Sequence, residues 1–494
     1  MEKIVVEKYD DVYIKIFCEP GTRYELQDYF TFTVPGARFM PQVRNKYWDG
    51  KIRLYNVATQ LLYAGLVPYV RKFGYDRGYE VEVDSDLYDE SFSLKEAQEF
   101  SELVLKDTKF EARDYQLEAF AHAMRTKRAM LLSPTASGKS LIIYLITRAM
   151  LAKSKKILVI VPTTSLVGQM KGDFEDYGFK DDIRIIMGNQ DKSWRNSIDE
   201  RIVISTWQSI YRMPKPWFNQ FGAVMGDEAH NFKSKSLTSI MTKLETCEYK
   251  FGFTGTLDGT LTHKLVLEGL FGAVKKVTTT EKLMKTGSLA ELNIKCLVLG
   301  HPTSARELLK KANYRDELDY IVTNKARNKF IENLALSLKG NTLILFQFVE
   351  KHGAVLHKDI LELVEKELFD RKVFFVHGAT DADSREEVRA ITEKEDNAVI
   401  IASYGTFSTG VNIKRLHNVI FASPTKSRIR TLQSIGRGLR TGEGKQQATL
   451  FDIADDLTWK SRKNYTLAHF GERVKFYNDE KFEYKIYQVK LSNV

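Results

Sequence analysis

The sequence predicts an α/β protein with two tandem domains, each a parallel sheet flanked by helices, plus a small N-terminal α+β domain and a short C-terminal extension. Three observations carry this. Short apolar runs alternate with helix-like segments along the middle of the chain, as they do in a parallel sheet covered on both faces. The runs fall into two series separated by a threonine-rich stretch, TTTEKLMKTGSLAELNI (278–294). The length, 494 residues, suits roughly three or four domains.

Before residue 110, valine-rich and aromatic pieces such as KIVVEKYDDVYIKIF and KIRLYNV read as strands of the small domain (1–110). The first series is AMLLS (129–133), ILVIVP (157–162), RIVIST (201–206), AVMGDE (223–228) and FGFTGT (251–256), giving a domain over 111–277. The second is TLILF (342–346), VFFVHG (373–378), AVIIAS (398–403), NVIFASP (418–424) and ATLFDI (448–453), giving a domain over 278–455. Residues 456–494 form the extension, basic and rich in aromatic residues, for which packing against the second domain is expected. The chain shows no solenoid repeat and no low-complexity tract.

The apolar fraction, 43%, is ample for packed cores and excludes a wholly disordered chain. No run approaches the ~18 apolar residues of a membrane span, and the acidic start is unlike a secretory leader, so a soluble protein of the cytoplasm is expected. Cys18, Cys247 and Cys296 are far apart and lack any CxxC or Cys/His neighbour, which argues against a disulfide framework or structural zinc. Lys and Arg number 74 against 64 Asp and Glu, a net +10, and such an excess points to a polyanionic partner. The excess is local. Arg38 to Lys72 holds seven bases against Asp49 alone, interleaved with Phe39, Tyr47, Trp48 and Tyr55; Lys414 to Lys445 holds eight against Glu443. Between residues 80 and 90, EVEVDSDLYDE carries six acids and no base and reads as a solvated strand and boundary.

The chemistry-bearing motifs sit at strand ends. The run AMLLS leads into Pro134, Thr135, Ala136, Ser137, Gly138, Lys139 and Ser140 and then an apolar helix. That strand, loop and helix context suits a phosphate cradle: loop N–H groups and the helix N-terminus face the phosphates, Lys139 adds a positive charge, and the Ser140 hydroxyl can ligate Mg²⁺. The usual first glycine is replaced by Ser133. Asp227-Glu228-Ala229-His230 follows AVMG; Asp227 there can hold Mg²⁺, and Glu228 can polarise a water attacking a γ-phosphate. In QSIGRGLR, Arg437 and Arg440 lie three apart on one helical face, which suits either reaching a nucleotide's γ-phosphate or lining a nucleic-acid groove.

In this order the motifs resemble those of a superfamily 2 helicase of the DEAH type: Arg113-Asp-Tyr-Gln116, PTASGKS, Pro162 to Gln169, Ser205 to Ser209, DEAH, Thr254-Gly255-Thr256, LILFQF, Ser403 to Asn412 and QSIGRGLR. The resemblance covers residues 111–455. It implies two RecA-like domains with ATP and Mg²⁺ as cofactors and an ATPase cleft between the domains. Arg113 and Gln116 would read adenine, and Lys139, Ser140, Asp227 and Glu228 would work the phosphates. Arg437 and Arg440 would reach across from the second domain, with Gly410 and Asn412 on the nucleotide side. Thr254 and Thr256 would couple hydrolysis to movement. Thr163, Gln169, Thr206, Gln208 and Thr406 would touch the phosphates of the tracked strand, although small polar residues at strand ends also cap helices. DEAH in place of DEAD slightly disfavours the RNA-remodelling branch, but the tetrapeptide occurs in several branches and does not settle the substrate.

The motif core, the basic N-terminal segment and the length are similar to the UvsW-type phage helicases. This implies Holliday-junction branch migration, fork regression and unwinding of R-loops and RNA–DNA hybrids in phage replication, recombination and repair, in the host cytoplasm. Branched, duplex and single-stranded DNA would be the partners of a monomer, with single-strand-binding or recombination proteins as further candidates. Within PQVRNKYWDGKIRLYN, Arg44, Lys46, Lys51 and Arg53 are candidate phosphate contacts and Trp48 a candidate stacking residue; the alternative is a twisted sheet with rings inside and bases outside. Two rival functions remain open: a duplex translocase that does not separate strands, and an ATP-gated strand-annealing or DNA-binding protein.

Overall fold

The computed structural model describes residues 2–87, 90–188, 193–195, 197–257, 260–367, 370–410, 413, 415–438 and 447–491, leaving aside the side chains of 193, 261–263, 382, 408–410 and 437. The chain divides into two compact units, Met1–Ser133 with Gly138–Thr278, and Thr279–Val494 with Pro134–Ser137.

The first unit begins with β1 (Lys3–Lys8), β2 (Tyr13–Phe17), β3 (Thr31–Thr33), β4 (Lys51–Arg53), β5 (Leu61–Tyr63) and β6 (Glu80–Val83). Four of these form a mixed sheet in the order β5-β2-β1-β6, while β3 and β4 pair apart as an antiparallel ribbon. Strand β1 shows the period-2 logic of a one-sided sheet: Ile4 and Val6 are fully buried, and Lys3 and Glu7 face out. That buried face packs with Leu26 and Phe30, and with Val70 and Phe73 of helix Val67–Arg77. The acidic run starts as edge strand β6, where Glu80 and Glu82 are exposed and Val81 and Val83 turn partly inward.

The same unit continues with β7 (Arg128–Leu132), β8 (Ile157–Val161), β9 (Ile183–Ile186), β10 (Ile202–Thr206), β11 (Ala223–Gly226), β12 (Tyr249–Thr254) and β13 (Val274–Lys276). Among the described residues they make a seven-stranded sheet in the order β13-β7-β12-β11-β8-β10-β9, every pairing parallel. Strands β8, β10, β11 and β12 are buried at every position, so they read as continuous apolar runs, as expected where helices cover both faces. The small N-terminal sheet is fastened to this part of the unit by polar contacts: the Tyr69 hydroxyl donates to Glu268 at 2.6 Å, and the Asp11 N–H donates to the Glu245 carbonyl at 2.9 Å.

The second unit holds β14 (Glu291–Gly300), β15 (Thr342–Phe346), β16 (Val373–Val376), β17 (Val399–Ser403), β18 (Asn418–Phe421), β19 (Gln447–Asp456) and β20 (Tyr484–Lys490) in the order β16-β17-β15-β18-β19-β14-β20, again with every pairing parallel. Two helix-flanked parallel sheets in tandem are the RecA-like arrangement the sequence predicts. The C-terminal extension is more than a cover: β20 completes the second sheet, and helix Tyr465–Asp479 packs on β19. Its Arg473 is 1% exposed, grips both oxygens of the fully buried Asp452 at 2.7 to 3.0 Å, and donates to the Thr425 carbonyl; Tyr477 donates to the same carboxylate at 2.8 Å.

Candidate functional site

Because the first sheet is wholly parallel, its carboxyl ends share one edge, where ligands of open α/β sheets bind. That edge collects the motifs. Motif residues 133–140 follow β7, Thr254 closes β12, Asp227 and Glu228 follow β11, Pro162 and Thr163 follow β8, and Thr206 closes β10. In sheet order the nucleotide-type residues follow β7, β12 and β11, and the residues that the sequence assigns to the tracked strand follow the adjacent β8 and β10.

The phosphate-type loop turns on backbone that few residues adopt. Gly138 has φ +74°, and a Cβ there would lie 2.3 Å from Gln116 Nε2; Ala136, with φ 64°, takes the left-handed region despite its side chain. Ser137 donates to the Pro134 carbonyl at 2.6 Å and closes the turn. Helix Lys139–Ala152 then starts with no side chain capping its N-terminus, the arrangement that accepts an anion. Gln116 is buried, donates to the Gly138 carbonyl at 3.3 Å and accepts from the Arg113 N–H at 2.8 Å, so the Arg113–Gln116 segment is tied to the loop.

Lys139 bridges the two acids. Its Nζ lies 2.8 Å from Asp227 Oδ1 and 3.4 Å from Glu228 Oε1. Burial alone would lower the lysine pKa, but Asp227 and Glu228 outweigh it and raise it, so the ammonium stays charged. Asp227 also accepts the Glu228 N–H at 2.8 Å, and Glu228 sits at φ 48°, a strained conformation of the kind that gathers at working sites. His230 Nδ1 stands 2.9 Å from Thr254 Oγ1 and 3.4 Å from Glu228 Oε2, and Thr254 Oγ1 donates to the Thr256 carbonyl at 3.0 Å. The acidic motif and the TGT motif are thereby joined.

Thr163 caps helix Thr164–Asp176 by accepting the Leu166 N–H at 3.4 Å. Gln169 is exposed on that helix. Gln208 is exposed and donates to the Pro162 carbonyl at 3.3 Å. Thr206 and Thr406 are 4% and 5% exposed and bond within their own turns, to Ser209 and Ser403.

Comparison with known proteins places these features. Residues 109–259 match the family described as type III restriction enzyme, res subunit, residues 325–442 the helicase conserved C-terminal domain, and residues 3–84 the N-terminal domain of DNA helicase UvsW. The chain is 37% identical to the ATP-dependent DNA helicase uvsW of Enterobacteria phage T4, over 99% of this chain and 100% of that protein. The chain belongs to the UvsW family of superfamily 2 helicases. It is therefore an ATP-hydrolysing helicase. The crystal structure of T4 UvsW aligns with a TM-score of 0.52 at 34% identity, over 99% of this chain and 100% of that one. The DNA 3'-5' translocase XPB2 of Sulfurisphaera tokodaii is 24% identical over 86% of this chain and 95% of its own length.

In this UvsW-family chain, the N-terminal basic segment caps the β3–β4 ribbon. Phe39 and Tyr47 are its most exposed rings, at 70% and 85%, with the Arg38 guanidinium 4.6 Å from the Phe39 centroid. Arg44, Lys46 and Lys51 are exposed. Arg53 is held by Asp49 at 2.5 Å. Trp48 is half-buried and donates its indole N–H to the Lys51 carbonyl at 3.0 Å, which fixes the edge of the ring against its own loop. A residue that motif spacing could not flag is Tyr177, whose hydroxyl lies 2.9 Å from Ser140 Oγ; it is far off in sequence and belongs to no motif. Asn412 and Arg440 lie outside the described residues. Arg437 and Gly410 fall in helices Arg428–Gly438 and Tyr404–Gly410, with their side chains outside the description.

Proposed function

We propose that this helicase hydrolyses ATP at the edge around Lys139, Asp227 and Glu228 to remodel branched DNA: Holliday-junction branch migration, fork regression and unwinding of R-loops and RNA–DNA hybrids. The observation that carries the reading is the Lys139 bridge, placed beside the strand ends of β8 and β10 on one sheet edge. The near-full-length likeness to a phage DNA helicase supports DNA as the polymer and the host cytoplasm as the place of action. Among the described residues, no helix is long and apolar enough to cross a membrane.

In this reading the carboxylates hold Lys139 until a triphosphate draws the ammonium onto its β and γ oxygens. Glu228, freed of the lysine, accepts a proton from the water that attacks the γ-phosphorus, and the bond to the ADP oxygen breaks to release ADP and phosphate. Asp227 and Ser140 would hold Mg²⁺. One carboxylate and one hydroxyl suit an ion that keeps most of its waters and takes phosphate oxygens, and when bound it neutralises charge on the phosphates. Gln116 and Arg113 read the base, loop residues 135–138 cradle the phosphates, and Arg437 and Arg440 add positive charge as the transition state forms. Thr163, Gln169 and Gln208 contact the tracked strand; Thr206 and Thr406 do so only through their turns. Arg44, Lys46, Lys51 and Arg53 grip duplex arms.

The test is ATP turnover with single-stranded DNA, duplex, a four-way junction and an RNA–DNA hybrid. The expected result is stimulation by DNA, greatest with branched substrates, together with branch migration of the junction. No stimulation by any nucleic acid would overturn the motor reading, and stimulation by RNA alone would overturn the assignment to DNA. Duplex stimulation without strand displacement would favour the translocase.

A further inference from the structure

The aromatic residues of the C-terminal extension divide by depth. Phe470, Tyr477 and Phe482 are buried and hold the extension to its sheet, whereas Tyr465, at the start of helix Tyr465–Asp479, is 43% exposed. Beside it stands Tyr314, 37% exposed, at the start of helix Tyr314–Thr323. The two rings meet edge to face at 6.2 Å, so they are not stacked face to face on each other. Burial accounts for three of the extension's rings; Tyr465 and Tyr487 stay exposed, and of these Tyr465 pairs with a second exposed ring, Tyr314.

Cations surround the pair. Arg462 lies 5.9 Å from the Tyr465 centroid and donates to the carbonyls of Lys310 and Ala312, which draws that turn against the extension. Lys310 Nζ is 5.9 Å from the ring of Trp459. Arg430 is close enough to act on the Tyr314 phenol, and Lys426 on the imidazole of His469, whose ring is 5.1 Å from Tyr314. The nearby acids are largely engaged. Glu317 is buried and accepts from Asn464, Thr466 and the Tyr465 N–H; Glu307 pairs with Lys310 at 3.4 Å and Glu472 with Lys475 at 2.7 Å. These residues follow the carboxyl ends of β18, β19 and β14, the sheet edge that also carries Thr406.

We propose that this patch of the second unit binds single-stranded DNA, with an unpaired base stacked on Tyr314 and Tyr465 and with Arg462, Lys310 and Lys426 on the flanking phosphates. Exposed rings interleaved with cations are the chemistry of sequence-tolerant single-strand grooves, and a base stacked within a duplex has no free face to offer. The proposal rests on the DNA-motor reading above and adds to it a strand-holding surface outside the helicase motifs.

The experiment uses the full chain, with a 20-nucleotide oligothymidylate and a blunt duplex as probes. Tyr314→Ala with Tyr465→Ala lowers single-strand affinity by about 5- to 50-fold and leaves duplex affinity within about two-fold, and the paired Phe substitutions restore binding. Lys310→Gln with Lys426→Gln, both at exposed positions, lowers the single-strand salt slope by about 1.4. ATP turnover at saturating DNA is retained in both variants. Unchanged affinity and slope, or equal losses on duplex, would overturn the proposal. Wild-type turnover that no DNA stimulates would sink the motor reading instead, so the two failures are distinguishable.

Discussion

The imidazole of His230 lies 2.9 Å from the hydroxyl of Thr254, across neighbouring strand ends of one parallel sheet. Each belongs to a different motif, and the same imidazole faces Glu228 at 3.4 Å. A change at the carboxylate is therefore felt at the TGT turn through one ring. His230→Ala is expected to keep most DNA-stimulated ATP turnover while base pairs opened per ATP fall several-fold. Parallel measurement of phosphate release and strand displacement checks this; equal losses in both would deny a coupling role.

The protonation of that ring sets a pH dependence. Burial lowers the His230 pKa below its usual 6.5, Glu228 opposes the shift and Lys139 adds to it. A depressed histidine pKa keeps the neutral ring at neutral pH and loses it as pH falls through the folded-state value. Coupling in the wild type is expected to hold steady from pH 8 to 6.5 and to decline below, while the alanine variant, already uncoupled, shows no such decline.

Lys139→Ala removes the charge shared between Asp227 and Glu228. The expected drop in kcat is at least about 100-fold, the scale seen when one charge-stabilising donor is lost, with basal DNA binding little changed. Steady-state turnover and anisotropy on the same preparation check it. Gly138→Ala acts differently: the left-handed backbone costs about 1–2 kcal/mol with a Cβ, and that Cβ meets Gln116. About a tenfold weaker nucleotide affinity is expected, measured with a fluorescent ATP analogue.

Arg473→Met leaves the carboxylate of Asp452, fully buried between strand and helix, without its cation. Stranding a buried charge costs about 3–5 kcal/mol, so the second unit should unfold at clearly lower urea concentration. Replacing both partners, Arg473→Met with Asp452→Leu, should recover much of the loss, because no uncompensated charge remains.

Glu332 is buried, and burial together with Asp359 pushes its pKa up to about 7. A carboxyl group with a raised folded-state pKa favours the fold while protonated, so its contribution is fully present below the ordinary carboxylate range and is lost as pH rises through 7. Glu332→Gln should therefore raise Tm at pH 8, with the advantage shrinking toward pH 5. Thermal melts at both pH values decide the matter.

Much of the fold was legible in the chain. Strands such as ILVIV are buried at every position, so their apolar content announces them without any partner's help. The strand YKIYQVK is a different case. It lies at the sheet edge with most positions exposed, carries little burial signal, and reads from sequence only as an aromatic tail. The candidate site divides likewise. Lys139, Asp227 and Glu228 are recognisable because phosphate chemistry needs those groups at strand ends, but Tyr177 reaches Ser140 from a helix end with no local signature. Trp48 is recognisable as a candidate stacking residue, but the hydrogen bond of its indole N–H to the Lys51 carbonyl has no local signature in the sequence.

The sequence by itself determined the two parallel sheets, the motif order and the basic segments, because hydrophobic period and strand-end chemistry are local properties of the chain. Only the tertiary structure decided which side chains meet. The Lys139 bridge, the His230–Thr254 contact, the depth sorting of the C-terminal rings and the closing strand β20 all depend on strand order. That order is set by packing between segments far apart in sequence, where no local pattern records which neighbour a strand end will face.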